Sequence, residues 1–244
     1  MNILAVTTSY TFELTLICMI AASMYFLLER YKLSDKYKSI STLAFITVAL
    51  AIIEYFGMRE FFDLENLTSA NVNYPTEFRY LIWLISTPIM LYTFFVLSGF
   101  NRIYKKTALV TLCLNFAMIV SGFFAEMSFS NNLASFNFSL IMFAIGFSCW
   151  IGIVYIYNSV LPSYVAKVKS KNQKYLKHCL ESLAKIVTFG WLIYPAGLLI
   201  SFYDPSVETA LMRELVYNLG DLFNKIGFVI ICFFCAVKLS KLRN

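Results

Sequence analysis

The stretch Val216-Tyr-Asn-Leu-Gly-Asp-Leu-Phe-Asn-Lys-Ile-Gly-Phe-Val-Ile-Ile-Cys-Phe-Phe-Cys-Ala-Val237 decides how this chain is read. It is apolar over about twenty residues, the length that crosses a bilayer as a helix, yet Lys225 stands near its middle. A bare ammonium at that depth costs roughly 2.5–3.5 kcal/mol on insertion scales, so a lysine there marks a candidate functional site. Asp221 lies one helical turn earlier, on the same face. Two readings of the pair stand side by side. It is either an ion pair that joins helices, or an amine kept for a Schiff base with a carbonyl compound, its charge balanced by Asp221.

The rest of the chain fits a membrane setting. Of its 244 residues, 59% are hydrophobic and 14% charged, and the mean hydropathy is +0.70. A soluble domain carries about 25% charged residues, so the composition is that of a polytopic membrane protein. The net charge of +6 is explained by where the basic residues fall, without nucleic acid as a partner. Met1 to Thr8 lacks a basic segment, and no small-residue cleavage site follows the first apolar run, so no cleavable signal peptide is expected. Six cysteines, Cys18, Cys113, Cys149, Cys179, Cys232 and Cys235, fall in or beside apolar runs. Cys232 and Cys235 form a C-x-x-C; with no nearby Cys or His expected, they read as small packing residues.

Seven apolar spans are predicted, at about 9–29, 39–58, 77–99, 107–126, 136–160, 179–202 and 213–237. Their connections alternate in charge. The first holds Arg30, Lys32, Lys36 and Lys38, the third Arg102, Lys105 and Lys106. The fifth holds Lys167, Lys169, Lys171, Lys174 and Lys177, and the tail Lys238, Lys241 and Arg243. The second and sixth instead hold Asp63, Glu65 and Glu77, then Asp204, Glu208 and Glu214. Basic connections stay in the cytoplasm, which puts the N-terminus outside and the C-terminus inside. With short loops and no repeat, residues 1–244 read as one all-α bundle of seven transmembrane helices. That architecture alone names no function.

Orientation gives the intramembrane polar residues a depth. Glu54 falls near the outer end of span 2, and Arg79 near the outer start of span 3, with Ser86 and Thr87 at mid-depth and Thr93 deeper. Glu54, Arg79 and Asp221 are therefore expected to converge on the outer side of Lys225, two acids and two bases making a neutral cluster. Glu54 and Asp221 also suit a shared proton or a hard cation such as Ca²⁺ or Na⁺, although Ca²⁺ takes about six to eight oxygens; the plainer alternative pairs Glu54 with Arg79 or a neighbouring protomer. Glu13 is a further outer acid that can face the interface. Trp83, Trp191 and Tyr194 sit mid-span beside Pro88 and Pro195, where a proline frees backbone carbonyls toward a cavity or a neighbour. No nucleophile–base pair and no metal-ligand spacing supports an enzyme.

Arg79-Tyr-Leu-Ile-Trp-Leu-Ile-Ser-Thr-Pro88, Gly190-Trp-Leu-Ile-Tyr-Pro-Ala-Gly197 and Tyr217-Asn-Leu-Gly-Asp-Leu-Phe-Asn-Lys-Ile226 resemble the third, sixth and seventh helices of microbial rhodopsins. Together with Glu54-Tyr-Phe-Gly-Met-Arg59 the pattern is most similar to proteorhodopsins. The resemblance implies all-trans retinal on Lys225 as a protonated Schiff base, with Asp221 as counterion. It further implies Trp83 and Trp191 on either side of the polyene, Tyr194 and Pro195 along its ring side, and a pocket completed by Arg79, Ile82, Ser86 and Thr87. Met90 falls where an apolar residue accompanies green rather than blue absorption. Asn115 is expected to hydrogen-bond Thr87.

The departures carry as much information. Ile82 stands where pumping relatives have an acid that accepts the Schiff-base proton, Thr93 where they have the cytoplasmic donor, and Glu54 where proteorhodopsins have a histidine. The triplet Ile82, Ser86, Thr93 resembles a proteorhodopsin-like group named for Thr-Ala-Thr, matching it only at Thr93. A missing carboxylate beside the Schiff base predicts a pigment partly near-UV-absorbing at mildly alkaline pH. The resemblance therefore implies a photosensor of a bacterial inner membrane, without efficient proton pumping. The alternative is an unusual light-driven transporter of inward protons, anions or cations. A homo-oligomer in the lipid bilayer is expected, and nothing in the chain names a signalling partner.

Overall fold

The computed structural model describes residues 3–61, 76–130, 135–168, 171–204 and 206–242. Among them are seven helices long and apolar enough to cross a membrane: α1 Ile3–Lys32, α2 Asp35–Arg59, α3 Phe78–Ser98, α4 Lys105–Phe129, α5 Phe136–Val165, α6 Asn172–Tyr203 and α7 Val207–Lys241. Each overlaps one predicted span. All but α3 run longer, because the apolar window marks only the hydrocarbon-depth part, whereas backbone pairing continues into the polar margins. At the start of α6, Leu176, Cys179, Leu180 and Leu183 face inward while Lys174 and Lys177 face out, an amphipathic turn that hydropathy alone cuts off. Asp63, Glu65, Lys169 and Arg243, used in the charge reading of the connections, lie outside the described residues.

Local signals set several helix ends. Gly99, at φ +77°, closes α3 in the left-handed conformation and its N–H donates to Val96 O at 3.2 Å. The Ser135 side chain caps α5 by accepting from Phe138 N, and the Ser206 side chain caps α7 by accepting from Thr209 N. Asp204 joins that second cap, accepting from Thr209 Oγ1 at 2.8 Å and Ser206 Oγ at 3.0 Å. These bonds, Thr209's first, hold its carboxyl below the ordinary value of 3.8. A lowered folded-state value means that the contribution is complete above the ordinary value and is lost as pH falls through the lowered one. The protection factor of the Thr209 amide is therefore expected to fall as pH drops below about 4 and to hold steady between about pH 5 and pH 8.

The seven helices close a ring in chain order, and α7 also touches α2 and α3. α7 is the most enclosed helix and α5 the most outward-facing. The main apolar core, with Phe26, Phe94, Phe95, Phe228 and Phe233, fills the half of the bundle nearer the C-terminus. Smaller clusters around Phe12 and Tyr55, and around Tyr80 and Tyr217, lie in the half nearer the N-terminus. Three wide π-type segments interrupt the helices: Ile156–Val160 in α5, Ile186–Gly190 in α6 and Leu222–Ile226 in α7. The first two precede Pro162 and Pro195, which lack an N–H and cannot continue the ladder. The third carries Lys225, in keeping with the placement of such bulges at functional sites.

Candidate functional site

The widened turn of α7 presents Lys225 to the bundle interior, 2% exposed. Its Nζ donates to Glu54 Oε2 on α2 at 2.6 Å and to Asp221 Oδ2 at 3.0 Å. Glu54 thus touches the amine itself, where the sequence placed it only on the same side. The cation these two carboxylates share is the lysine's own ammonium, and the described residues hold no group of three His, Cys, Asp or Glu suited to a metal. Asp221 is held from every side: Oδ1 accepts from Tyr194 Oη at 2.7 Å, and Oδ2 also from Tyr55 Oη at 3.0 Å and Arg79 Nη1 at 3.4 Å. Glu54 Oε1 makes no hydrogen bond and lies 3.7 Å from Arg79 Nη1. A carboxylate on α2 therefore stands at the amine, on a different helix from Ile82.

Arg79 is fully buried and stands over the rings of Phe12, Tyr55 and Tyr217. It forks onto Glu214 Oε2 through Nε at 3.1 Å and Nη2 at 2.7 Å. Glu214, expected in a connection, is instead buried, because it sits two turns inside α7 and faces Arg79 of α3. Thr76 Oγ1 donates to Glu214 Oε1 at 2.7 Å and accepts from Arg213 Nη2 at 2.6 Å. Arg213 Nη1 then reaches Glu126 Oε1 and Ser201 Oγ, each at 2.9 Å. A continuous polar chain thus runs from Lys225 through Arg79 to Glu126 at the N-terminal end of the bundle. Among the described residues it holds three cations and four carboxylates, not the two and two expected. Glu13 pairs with Arg59 at 3.2 Å on the half-exposed rim.

Beside this chain lies a mainly apolar cavity. Trp83, Met90, Trp191, Tyr194 and Pro195 line it, Thr87 edges it, and Lys225 and Asp221 close one end. Trp83 and Trp191 are both 5% exposed, and Trp83 meets the Tyr194 ring edge-on at 4.7 Å. Asn115 Nδ2 donates to Thr87 Oγ1 at 2.9 Å, as the sequence predicted. Arg79, Ile82 and Ser86 are absent from the cavity wall: Arg79 stands behind the carboxylates, Ser86 is buried with its hydroxyl unpartnered, and Ile82 is half-buried. The buried amine thus both joins α7 to α2 through Glu54 and borders an apolar cavity.

The widened turn of α6 is tied to the site. Asn224 Nδ2 donates to Gly190 O at 2.9 Å and approaches Tyr194 Oη at 3.3 Å. A Cβ on Gly190 would lie 2.0 Å from Asn224 Oδ1. Gly190→Ala is therefore expected to displace Asn224 and lower thermal stability by about 1–3 kcal/mol, measured against Gly57→Ala, where the added Cβ meets only ordinary contacts.

The other half of the bundle is different. Thr93 is buried and donates to Ile89 O at 2.7 Å, within the phenylalanine-rich core. All four buried carboxylates among the described residues, Glu54, Glu126, Glu214 and Asp221, lie at Lys225 or toward the N-terminal end. The cysteines need a correction: Cys179 of α6 packs against both Cys232 and Cys235, so the C-x-x-C does have a thiol neighbour. That neighbour comes from another helix, which spacing within one helix cannot show.

The sequence profile of the family described as bacteriorhodopsin-like protein matches residues 6–239. The green-light absorbing proteorhodopsin of Gamma-proteobacterium EBAC31A08 is 26% identical, over 96% of this chain and 88% of its own length. The blue-light absorbing proteorhodopsin of Gamma-proteobacterium Hot 75m4 is 28% identical, over 96% and 88%. The crystal structure of Exiguobacterium sibiricum rhodopsin is similar with a TM-score of 0.90 and 32% identity, over 98% of this chain and 99% of that one. Family profile, full-length relatives and helix arrangement agree, and the chain belongs to the bacteriorhodopsin-like family of seven-helix membrane proteins.

Proposed function

We propose that this protein is a retinal-based photoreceptor of a bacterial inner membrane that does not pump protons efficiently, with its N-terminus outside and its C-terminus in the cytoplasm. The observation that carries the reading is the one-sided distribution of buried acids around Lys225. The residues present fit retinal: a buried amine ends an apolar cavity walled by Trp83, Trp191, Met90 and Pro195. Bound through Lys225 Nζ, all-trans retinal supplies visible-light absorption and a light-driven change of shape.

The chain's own residues do the rest. Glu54 and Asp221 balance a positive charge at Nζ, and Tyr55 and Tyr194 fix Asp221 by donating to it. Arg79 anchors that pair to Glu214. On the cytoplasmic side Thr93 spends its hydroxyl on its own helix, and no buried acid among the described residues can return a proton to Nζ. The helix-3 triplet Ile82, Ser86, Thr93 is thereby similar in effect to the Thr-Ala-Thr group. A signalling partner and a homo-oligomer remain part of the proposal.

One observation favours a second reading, a light-driven transporter of unusual type. Glu54 contacts Nζ directly, and from Asp221, the other partner of Nζ, a hydrogen-bonded route continues through Arg79, Glu214, Thr76 and Arg213 to Glu126. The test is the light-induced pH change of an unbuffered suspension of cells expressing the protein with retinal, with and without a protonophore. A bleachable pigment with no pH change is the expected result. Acidification abolished by the protonophore would establish outward pumping. Alkalinisation abolished by it means inward proton transport, and alkalinisation enhanced by it an anion or sodium current.

A further inference from the structure

A second cleft opens at the opposite end of the bundle, among the basic connections, between the start of α2 and the last turns of α3. Its rim carries Arg30 and Lys38 with the exposed hydroxyl residues Ser39 and Thr42. Its walls toward the hydrocarbon depth are Leu43 and Val96. Tyr92 completes it, with its hydroxyl accepting from Asn101 Nδ2 at 3.4 Å.

The charges here are not balanced. Lys32 pairs with Glu29, and Lys38 Nζ lies 2.7 Å from Asp35 Oδ1, so the acid in the cleft is already matched. Arg30 makes no ion pair with a carboxylate among the described residues. Its Nη1 donates to Lys38 O at 2.9 Å and to Thr42 Oγ1, both neutral acceptors. Those two bonds hold the guanidinium in place over α2 without spending its charge. The cleft is left with one net positive charge, a planar donor group and nearby hydroxyls above apolar walls. A guanidinium suits phosphate oxygens in particular, and basic pockets between membrane helices recruit anionic headgroups.

We propose that this cleft binds the phosphodiester of an anionic glycerophospholipid, a phosphatidylglycerol-type headgroup, with Arg30 as the phosphate ligand and an acyl chain along Leu43 and Val96. One net negative charge matches the single unpaired guanidinium, which a zwitterionic lipid does not offer. A free phosphate ion leaves the apolar walls unused. This site is independent of how Lys225 is used.

The test is native mass spectrometry of the full retinal-loaded protein taken from bilayers of equal phosphatidylglycerol and phosphatidylcholine. One phosphatidylglycerol is expected to remain bound in preference to phosphatidylcholine. Arg30→Gln should reduce that retention about fivefold, the effect of one basic charge near a membrane surface. Lys177→Gln, an exposed lysine outside the cleft, should leave it unchanged, and inorganic phosphate should not displace the lipid. Because Arg30 also ties the α1–α2 turn, Ser39→Asp provides a variant that keeps its bonds and should lower retention as well. Equal retention of the two lipids, or equal losses in Arg30→Gln and Lys177→Gln, would overturn the assignment. Displacement by inorganic phosphate would reassign the cleft to a soluble anion.

Discussion

Glu54→Gln is expected to convert most of the visible band to near-UV absorption at mildly alkaline pH, while the wild-type pigment stays coloured. The amine of Lys225 is shared by two carboxylates, at 2.6 Å and 3.0 Å, and the substitution leaves only Asp221. Asp221 already accepts from Tyr55, Tyr194 and Arg79, so its charge is divided among several donors. Losing an opposite charge at this distance changes the proton equilibrium of a group by about one to three units. The variant should therefore show what the helix-3 residues alone imply for the native chain. An absorption titration of both proteins checks it, and superimposable curves would mean that Glu54 does not act on the linkage.

Arg79→Gln is expected to be the most destabilising single substitution in the polar chain. Arg79 is fully buried and faces Glu54, Asp221 and Glu214, and among the described residues its three contacts to carboxylate oxygens at 3.4 Å or less all go to the last two. Removing one partner of a buried pair costs about 3–5 kcal/mol, because the other charges are left uncompensated. For a chain of this size that is a fall in Tm of order 10 °C. Arg59→Gln is the comparison: its partner Glu13 is half-exposed, and exposed pairs contribute about 0–1 kcal/mol. Thermal melts of the two variants in the same detergent decide the matter, and equal melting points would remove Arg79 from its central place.

The sequence made the seven spans legible because a bilayer imposes a long apolar window that few other structures require. Lys225 and Asp221 stood out for the same reason, as charges where charge is expensive. Trp83, Trp191 and Tyr194 were found through their resemblance to rhodopsin motifs, and the cavity brings them together. Less legible was anything set by contact between helices. Glu54 was placed at the right end but not on the amine, since depth follows from orientation while direction follows from packing. Arg213, Glu214 and Glu126 were missed because a charge near a helix end reads the same whether it faces water or a neighbouring helix. The widened turns at Lys225 and Gly190 also left no periodic signal, being one-residue departures from helical spacing.

The most direct measurement is the light-minus-dark infrared difference spectrum of the retinal-loaded protein beside that of Glu54→Gln. If Glu54 stands against the charge at Lys225, a carboxyl or carboxylate band present in the native spectrum is expected to vanish in the variant. Identical difference spectra in the carboxyl region would contradict the assignment of Glu54 to the site.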